Sequence, residues 1–313
     1  MRQSRTNYAR IKIKSASMRI LLTYISVVLL WSTTPLAIKW SGEGPGFLFG
    51  VTSRMTIGTT CLLLFIAIMR KPIPLHRKAI LTYCAVALQI YGAMIAVYWA
   101  AQFMPSGWIS VVSGLAPLMT ALLSALFLGE RSLTIGKLLS YGMGIGGLII
   151  IFGSALQISL NAALGIGALL ISTCIQATSA VWIKRISAKL PALSQVTGGL
   201  LIALPLYLVT WLILDKGQLP TTLSLINIAS ILYLGVIATT LGFIFYYYLL
   251  THLTATRVSL INLISPVLAL LLGYFVNHEQ LSIKVLSGTL LILSALFLHE
   301  FFERLPRFKA RLK

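Results

Sequence analysis

The 313 residues carry a formal net charge of +19, yet only 10% of them are charged and 58% are hydrophobic, far from the roughly 25% charged content of an ordinary soluble domain. So little polar surface excludes a water-soluble fold, and no extended polar segment is left to make a nucleic-acid-binding domain out of the basic excess. The three cysteines, Cys61, Cys84 and Cys174, all fall in apolar stretches and give no disulfide framework; they read as small buried apolar side chains.

A basic tail over 1–17 opens the chain, and residues 20–40 form the first apolar stretch. No A-x-A cleavage site follows, so it reads as an uncleaved membrane span. Further stretches follow at 46–69, 79–102, 106–128, 138–153, 163–183, 195–214, 227–251, 256–277 and 285–301. Most approach the ~20 residues a helix needs to cross a bilayer core about 30 Å thick. The glycine-rich fifth is the shortest. None shows the long apolar/polar alternation of a membrane barrel, so the expected fold is an all-α integral membrane protein with ten transmembrane helices.

Basic residues gather in the first tail, after spans two, four, six and eight, and in the tail over 302–313. Together these hold 21 of the 25 Lys and Arg. Lys39, Lys216 and Lys284 lie in the alternate loops. By the positive-inside rule both termini are cytoplasmic, and the excess charge faces lipid headgroups rather than nucleic acid.

Several residues within the spans are polar, which is costly in hydrocarbon unless they meet a partner or a cavity. Near the midplane stand Trp31, Thr33 and Thr34 in the first span, Tyr91 in the third, Ser113 in the fourth, Gln176 and Thr178 in the sixth, Thr240 in the eighth and Asn262 in the ninth. Together they compose an amphipathic substrate path, aromatic faces for an apolar or cationic group and hydroxyls and amides for a carboxylate or amine. The alternative for the Ser and Thr residues is a bond back to their own helix. Arg54, about 12 Å into the second span, is the one clear charge inside a span, and all six acids lie at ends or in loops. It receives an anionic group of the substrate, or it snorkels outward or caps a neighbouring helix. Gly142 and Gly146, four apart in the fifth span, mark close helix packing or a dimer contact.

A repeat organises these spans. Pro117 and Pro266 are 149 residues apart, as are Glu130 and Glu279, and the same shift lays Tyr98-Trp99 on Tyr247-Tyr248 and Ser110 on Ser259. A shift of 145 lays T-T-P-L-A-I-K at 33–39 on T-S-A-V-W-I-K at 178–184. Five spans per copy is an odd number, so the second copy enters the membrane from the other side: two inverted repeats, over 18–153 and 163–301, with Glu130 and Glu279 on opposite faces. Pro117 and Pro266 each remove a donor in mid-helix, which makes them a matched pair of hinges or of static kinks.

The run Y-W-A-A-Q-F-M-P-S-G-W-I-S-V-V-S-G-L-A-P at 98–117, followed by G-E-R at 129–131, with a degenerate second copy, resembles the EamA-type members of the drug/metabolite transporter superfamily. W-S-T-T-P-L-A-I-K in the first span resembles that family's opening helix. The resemblance covers about residues 20–301 and implies an inner-membrane exporter or exchanger of small metabolites, often amino acids, without cofactor. The second copy departs from the pattern, with His278 where the first has Gly129.

Alternatives within transport are multidrug efflux and movement of a lipid-linked or sugar substrate; with no acid in the spans to attract a cation, drug efflux ranks lower. The alternative outside transport is a membrane-embedded lipid-modifying enzyme. It requires His, Asp and Glu at one depth, and the four histidines lie near span ends. His278-Glu279 and His299-Glu300 lack the second histidine of a zinc site, so no metal or catalytic residue is expected.

Overall fold

The computed structural model describes the backbone of residues 2–128, 135–253 and 261–311. It describes the side chains between 18 and 302 within those ranges, Phe243, Tyr247, Leu250 and Thr251 excepted. Glu130, Arg131, Arg257 and Ser259 lie outside the described residues.

Among the described residues the regular elements are all helical. Helix α1 is Arg2–Gly42, with Met18–Gly42 its apolar part, and α2 is Phe47–Ile68. Next come α3 (Arg77–Ala101), α4 (Ser106–Leu128), α5 (Ile135–Ile158), α6 (Leu160–Ile186) and α7 (Ala192–Leu214). Helix α8 covers 225–252, α9 is Ile261–Asn277 and α10 is Ile283–Arg311. Nine are long and apolar enough to cross a membrane, and α9, with 17 described residues, is a shorter apolar helix. Large apolar side chains such as Leu126, Ile171, Ile213 and Phe297 point outward, as a lipid solvent allows and water does not.

The helices pack as two interlocked halves. Helix α1 lies on α8 and α9 as α6 lies on α3 and α4, and α2 lies on α8 as α7 lies on α3. Three pairs, α2 with α7, α4 with α9 and α5 with α10, map onto themselves. Equivalent helices run in opposite directions: the end of α9 reaches the start of α4, and Gly136 at the start of α5 faces the Phe302 ring near the end of α10. That is the inverted duplication the sequence shift implies.

The fifth span is longer than the sequence pattern indicates, because its glycine face is seated on α10. A Cβ on Gly147 would lie 2.6 Å from the Gly288 carbonyl, and one on Gly144 3.1 Å from Leu118. The packing glycines are thus Gly144, Gly146 and Gly147. Of the pair read from sequence, Gly146 packs on Leu291 of α10, where a Cβ would lie at 3.2 Å, and Gly142 meets nothing within 4 Å. Cys174 is likewise exposed, not buried, and Cys61 and Cys84 are half-buried.

Two irregularities occur at matched places. Helices α3 and α8 each contain a π-helical stretch, Leu88–Ala93 and Tyr233–Leu241, whose starts are 145 residues apart. Glycines hold both against the neighbouring half: Gly58 and Gly235 at the α2–α8 contact, Gly198 and Gly199 at the α3–α7 contact. The prolines, in contrast, are not equivalent. Helix α4 is interrupted at Gly114 and Leu115, and Pro117 is the second residue of the segment Ala116–Leu128, where the missing N–H has no helical partner to lose. The expected mid-helix position holds only for Pro266, inside α9.

Candidate functional site

Arg54 sits between the halves. Its side chain is 7% exposed, and it neither snorkels outward nor caps carbonyls. Nε donates to Thr239 Oγ1 of α8 at 3.2 Å, and Nη1 to the Tyr98 hydroxyl of α3 at 3.5 Å. Gly58 and Gly235 bring α2 and α8 close enough for the first contact, since a Cβ on either would fall within 3.0 Å of Thr239 or Ile57. Tyr207 and Tyr233 lie within reach of the guanidinium charge. Tyr98 stood out in the sequence only as part of the repeat, and Tyr207, Tyr233 and Thr239 not at all; the available signal was a hydroxyl deep inside an apolar span.

Some of the residues expected along a path fall into two groups, reached from this arginine through Tyr233 and Tyr207. On one side α1 meets α8: the Trp31 and Tyr246 rings are 5.1 Å apart, and the Thr33 and Tyr233 hydroxyls are 2.5 Å apart. On the other α3 meets α7: the Tyr91 hydroxyl is 2.6 Å from Thr210 Oγ1, and its ring stands edge-on to Tyr207 at 5.0 Å. Tyr207 donates to the Ile90 carbonyl at 2.5 Å inside the π stretch of α3. Thr240 donates to the Gly235 carbonyl in the π stretch of α8. A π stretch shifts the helical ladder, and such stretches occur often at functional sites.

The remaining polar residues are more local. Thr34 bonds back to Leu30 and Gln176 to Ser172 on its own helix. Ser113 closes the first segment of α4, Asn262 is half-buried at the start of α9, and Thr178 is exposed.

Glu279 forms a second constellation, at one end of the bundle. The chain leaves α9 through His278 at φ 51°, and the Glu279 amide donates to the Gly273 carbonyl at 3.0 Å. The carboxylate thereby turns onto the start of α4. Ser106 N donates to Oε1 at 2.8 Å, Ser106 Oγ to Oε2 at 3.1 Å, Gly107 N to Oε2 at 3.5 Å and Asn277 Nδ2 to Oε1 at 2.8 Å. Lys39 Nζ, from the end of α1, is 3.6 Å from Oε1, and Trp40 Nε1 donates to Asn277 Oδ1. An anion at a helix N-terminus that accepts charge-assisted bonds is well placed electrostatically. Glu279 therefore ties together α1, α4 and α9. A Cβ on Gly273 would come 2.3 Å from Oε2, so the turn requires glycine there.

The α5–α10 pair is the third feature. On the α4 side Leu115 and Leu118 pack into it, each 5% exposed, beside Gly144 and Ala295. On the α9 side the residues 149 further on, Ile264 and Val267, are 41% and 40% exposed. A crevice of about 490 Å³ opens there, lined by Met143, Leu263, Leu293, Ser294, Phe297 and Leu298.

The EamA-like transporter family matches this chain twice, over residues 18–153 and 163–299. The chain belongs to that family. It is a multi-pass membrane transporter of the drug/metabolite transporter superfamily, not an enzyme. Among EamA-like relatives it is 27% identical to the uncharacterized transporter YoaV of Bacillus subtilis over 286 residues, which cover 90% of this chain and 97% of that one. It is 30% identical to protein PecM of Dickeya dadantii over 218 residues, 68% of this chain and 70% of PecM. A solved crystal structure superposes with a TM-score of 0.63 at 20% identity, over 92% of this chain and 99% of that one. That likeness shows the shared fold.

Proposed function

We propose that this EamA-like protein carries a small metabolite such as an amino acid across the inner membrane by alternating access, as an exporter or exchanger. Both termini are on the cytoplasmic side, which places Glu279 on the outer face. The observation that carries the reading is the unequal packing of two equivalent helices: α4 is closed onto α5–α10, and α9 leaves a crevice beside the same pair. Inverted repeats exchange such arrangements to open the opposite side. On this reading the Glu279 contacts that pin α4 hold the outer side closed. Substrate passes between the Trp31–Thr33 and Tyr91 groups, with Thr34, Ser113, Gln176, Thr178, Thr240 and Asn262 along the way. The break before Pro117 and the mid-helix Pro266 serve as two unlike hinges.

Counterflow tests this. Proteoliposomes loaded with a pool of amino acids are given a labelled trace of each, with protein-free vesicles as control. Entry above control for a few amino acids is the expected result, reduced by Trp31→Ala and Tyr91→Ala. No entry for any of them, with the protein shown to be folded, overturns the amino-acid reading.

A further inference from the structure

We propose that Arg54 is the receptor for a carboxylate, so that the substrate is a small organic anion or a zwitterion bound by its acidic end. The proposal rests on the transport reading above and narrows its substrate class.

The argument begins with a charge that has nowhere to go. An arginine cannot shed its proton in a protein, so burial leaves a permanent cation. Arg54 is 93% buried within α2, seven residues, or about 10 Å, along the helix from its start at Phe47. A buried ion is ordinarily neutralised by an opposite charge. Here no carboxylate pairs with it among the described residues, and its two hydrogen-bond acceptors there, Thr239 and Tyr98, are neutral hydroxyls. Of the five N–H groups a guanidinium presents, the Nη2 pair has no acceptor among those residues, which leaves charged donors free for an anionic oxygen. Lys39, in contrast, already has its carboxylate in Glu279.

The surroundings fit a ligand better than a structural tie. Arg54 bridges the halves, its partners being α3 of the first repeat and α8 of the second. Tyr207, edge-on to Tyr91, and Tyr233, at the Thr33 hydroxyl, lie within reach of its charge and offer aromatic faces to the apolar part of a molecule whose acid lies on the guanidinium. An α-ammonium, when present, meets aromatic faces and hydroxyls rather than a carboxylate. The ligand's charge is therefore held chiefly at its acidic end.

Binding to purified protein in lipid nanodiscs is read from the thermal unfolding midpoint, followed by tryptophan fluorescence. The probes are triplets sharing one side chain, for example leucine, 4-methylpentanoate and leucinamide, with matching sets built on phenylalanine, serine and glutamate. Within at least one triplet a carboxylate-bearing member raises the midpoint and the amide does not. A response to the amino acid marks a zwitterion site, and a response to the deamino acid alone marks an organic-anion site. Arg54→Gln weakens that binding about 10- to 100-fold, the usual weight of a charge-assisted contact, and Arg54→Lys falls between. Equal stabilisation by acid and amide overturns the proposal, as does no response to any carboxylate in the panel. Should Arg54→Gln fail to fold, the wild-type triplets and Arg54→Lys still decide. Counterflow on the same preparations separates the two readings. Carboxylate binding that depends on Arg54 but is followed by no exchange leaves the site standing and removes the carrier mechanism. Exchange of acids and amides alike, unchanged by Arg54→Gln, does the reverse.

Discussion

Helices α4 and α9 descend from one sequence element and occupy equivalent places, yet they differ in three ways. The first is broken before its proline and packed tightly onto α5–α10; the second runs unbroken through its proline and stands off from the same pair. At the Glu279 end of the bundle they are joined, because the acid that follows α9 caps α4. Both limbs stand beside the same α5–α10 pair, so the contrast is between the limbs. A duplicated sequence thus does not dictate duplicated packing, and the difference between the limbs is where such a molecule holds its state.

The comparison breaks most severely if the α5–α10 pair fails. Gly147→Leu forces a side chain into the Gly288 backbone; such overpacking costs about 3 kcal/mol or more, and loss of folded protein in size-exclusion chromatography is expected. Leu118→Ser and Val267→Ser sharpen it directly. The first empties a packed site at a cost of about 3 kcal/mol, the second changes an exposed one by under about 1 kcal/mol, and thermal melts should separate them clearly. Equal shifts would mean that the two limbs are packed alike.

Glu279→Gln removes the charge that joins the limbs, a loss of about 1.5 to 3 kcal/mol. In a background without native cysteines, Ala101→Cys, buried at the end of α3 five residues before Ser106, should then react at least about tenfold faster with an impermeant thiol reagent, since 1.4 kcal/mol is a factor of ten. The smallest effect is a gain. His278 adopts φ 51°, a left-handed conformation that costs a side chain about 1 kcal/mol, so His278→Gly should raise the melting temperature by a few degrees.

That last position shows what the sequence discloses. His278 stands where the first copy has Gly129, a departure from the pattern, and only the structure reveals the left-handed backbone there that glycine would favour. The spans, the 149-residue shift and the inversion were all legible, because lipid demands long apolar helices and an odd number of them per copy reverses direction. Arg54 stood out for the same reason. Its surroundings did not: Tyr98 and Thr239 come from helices 44 and 185 residues away, and no local pattern encodes such meetings. The π stretches were also hidden, since a shifted hydrogen-bond ladder reflects packing against the opposite half. Glu279 was visible as a surface acid, but its role at Ser106 depends on a contact across 173 residues.

The concentration of bonds on Glu279 bears on leakage. Its two oxygens are shared by donors from α4 and α9 and by the Lys39 ammonium, so withdrawing α9 leaves the donors of α4 and Lys39 unmatched, and withdrawing α4 strips the carboxylate of three of its donors. Partial loosening is therefore penalised, and this end of the bundle favours being wholly shut or wholly released. Under the alternating access proposed above, such a closure would leak little, because the half-open intermediates through which solutes slip would be the least populated.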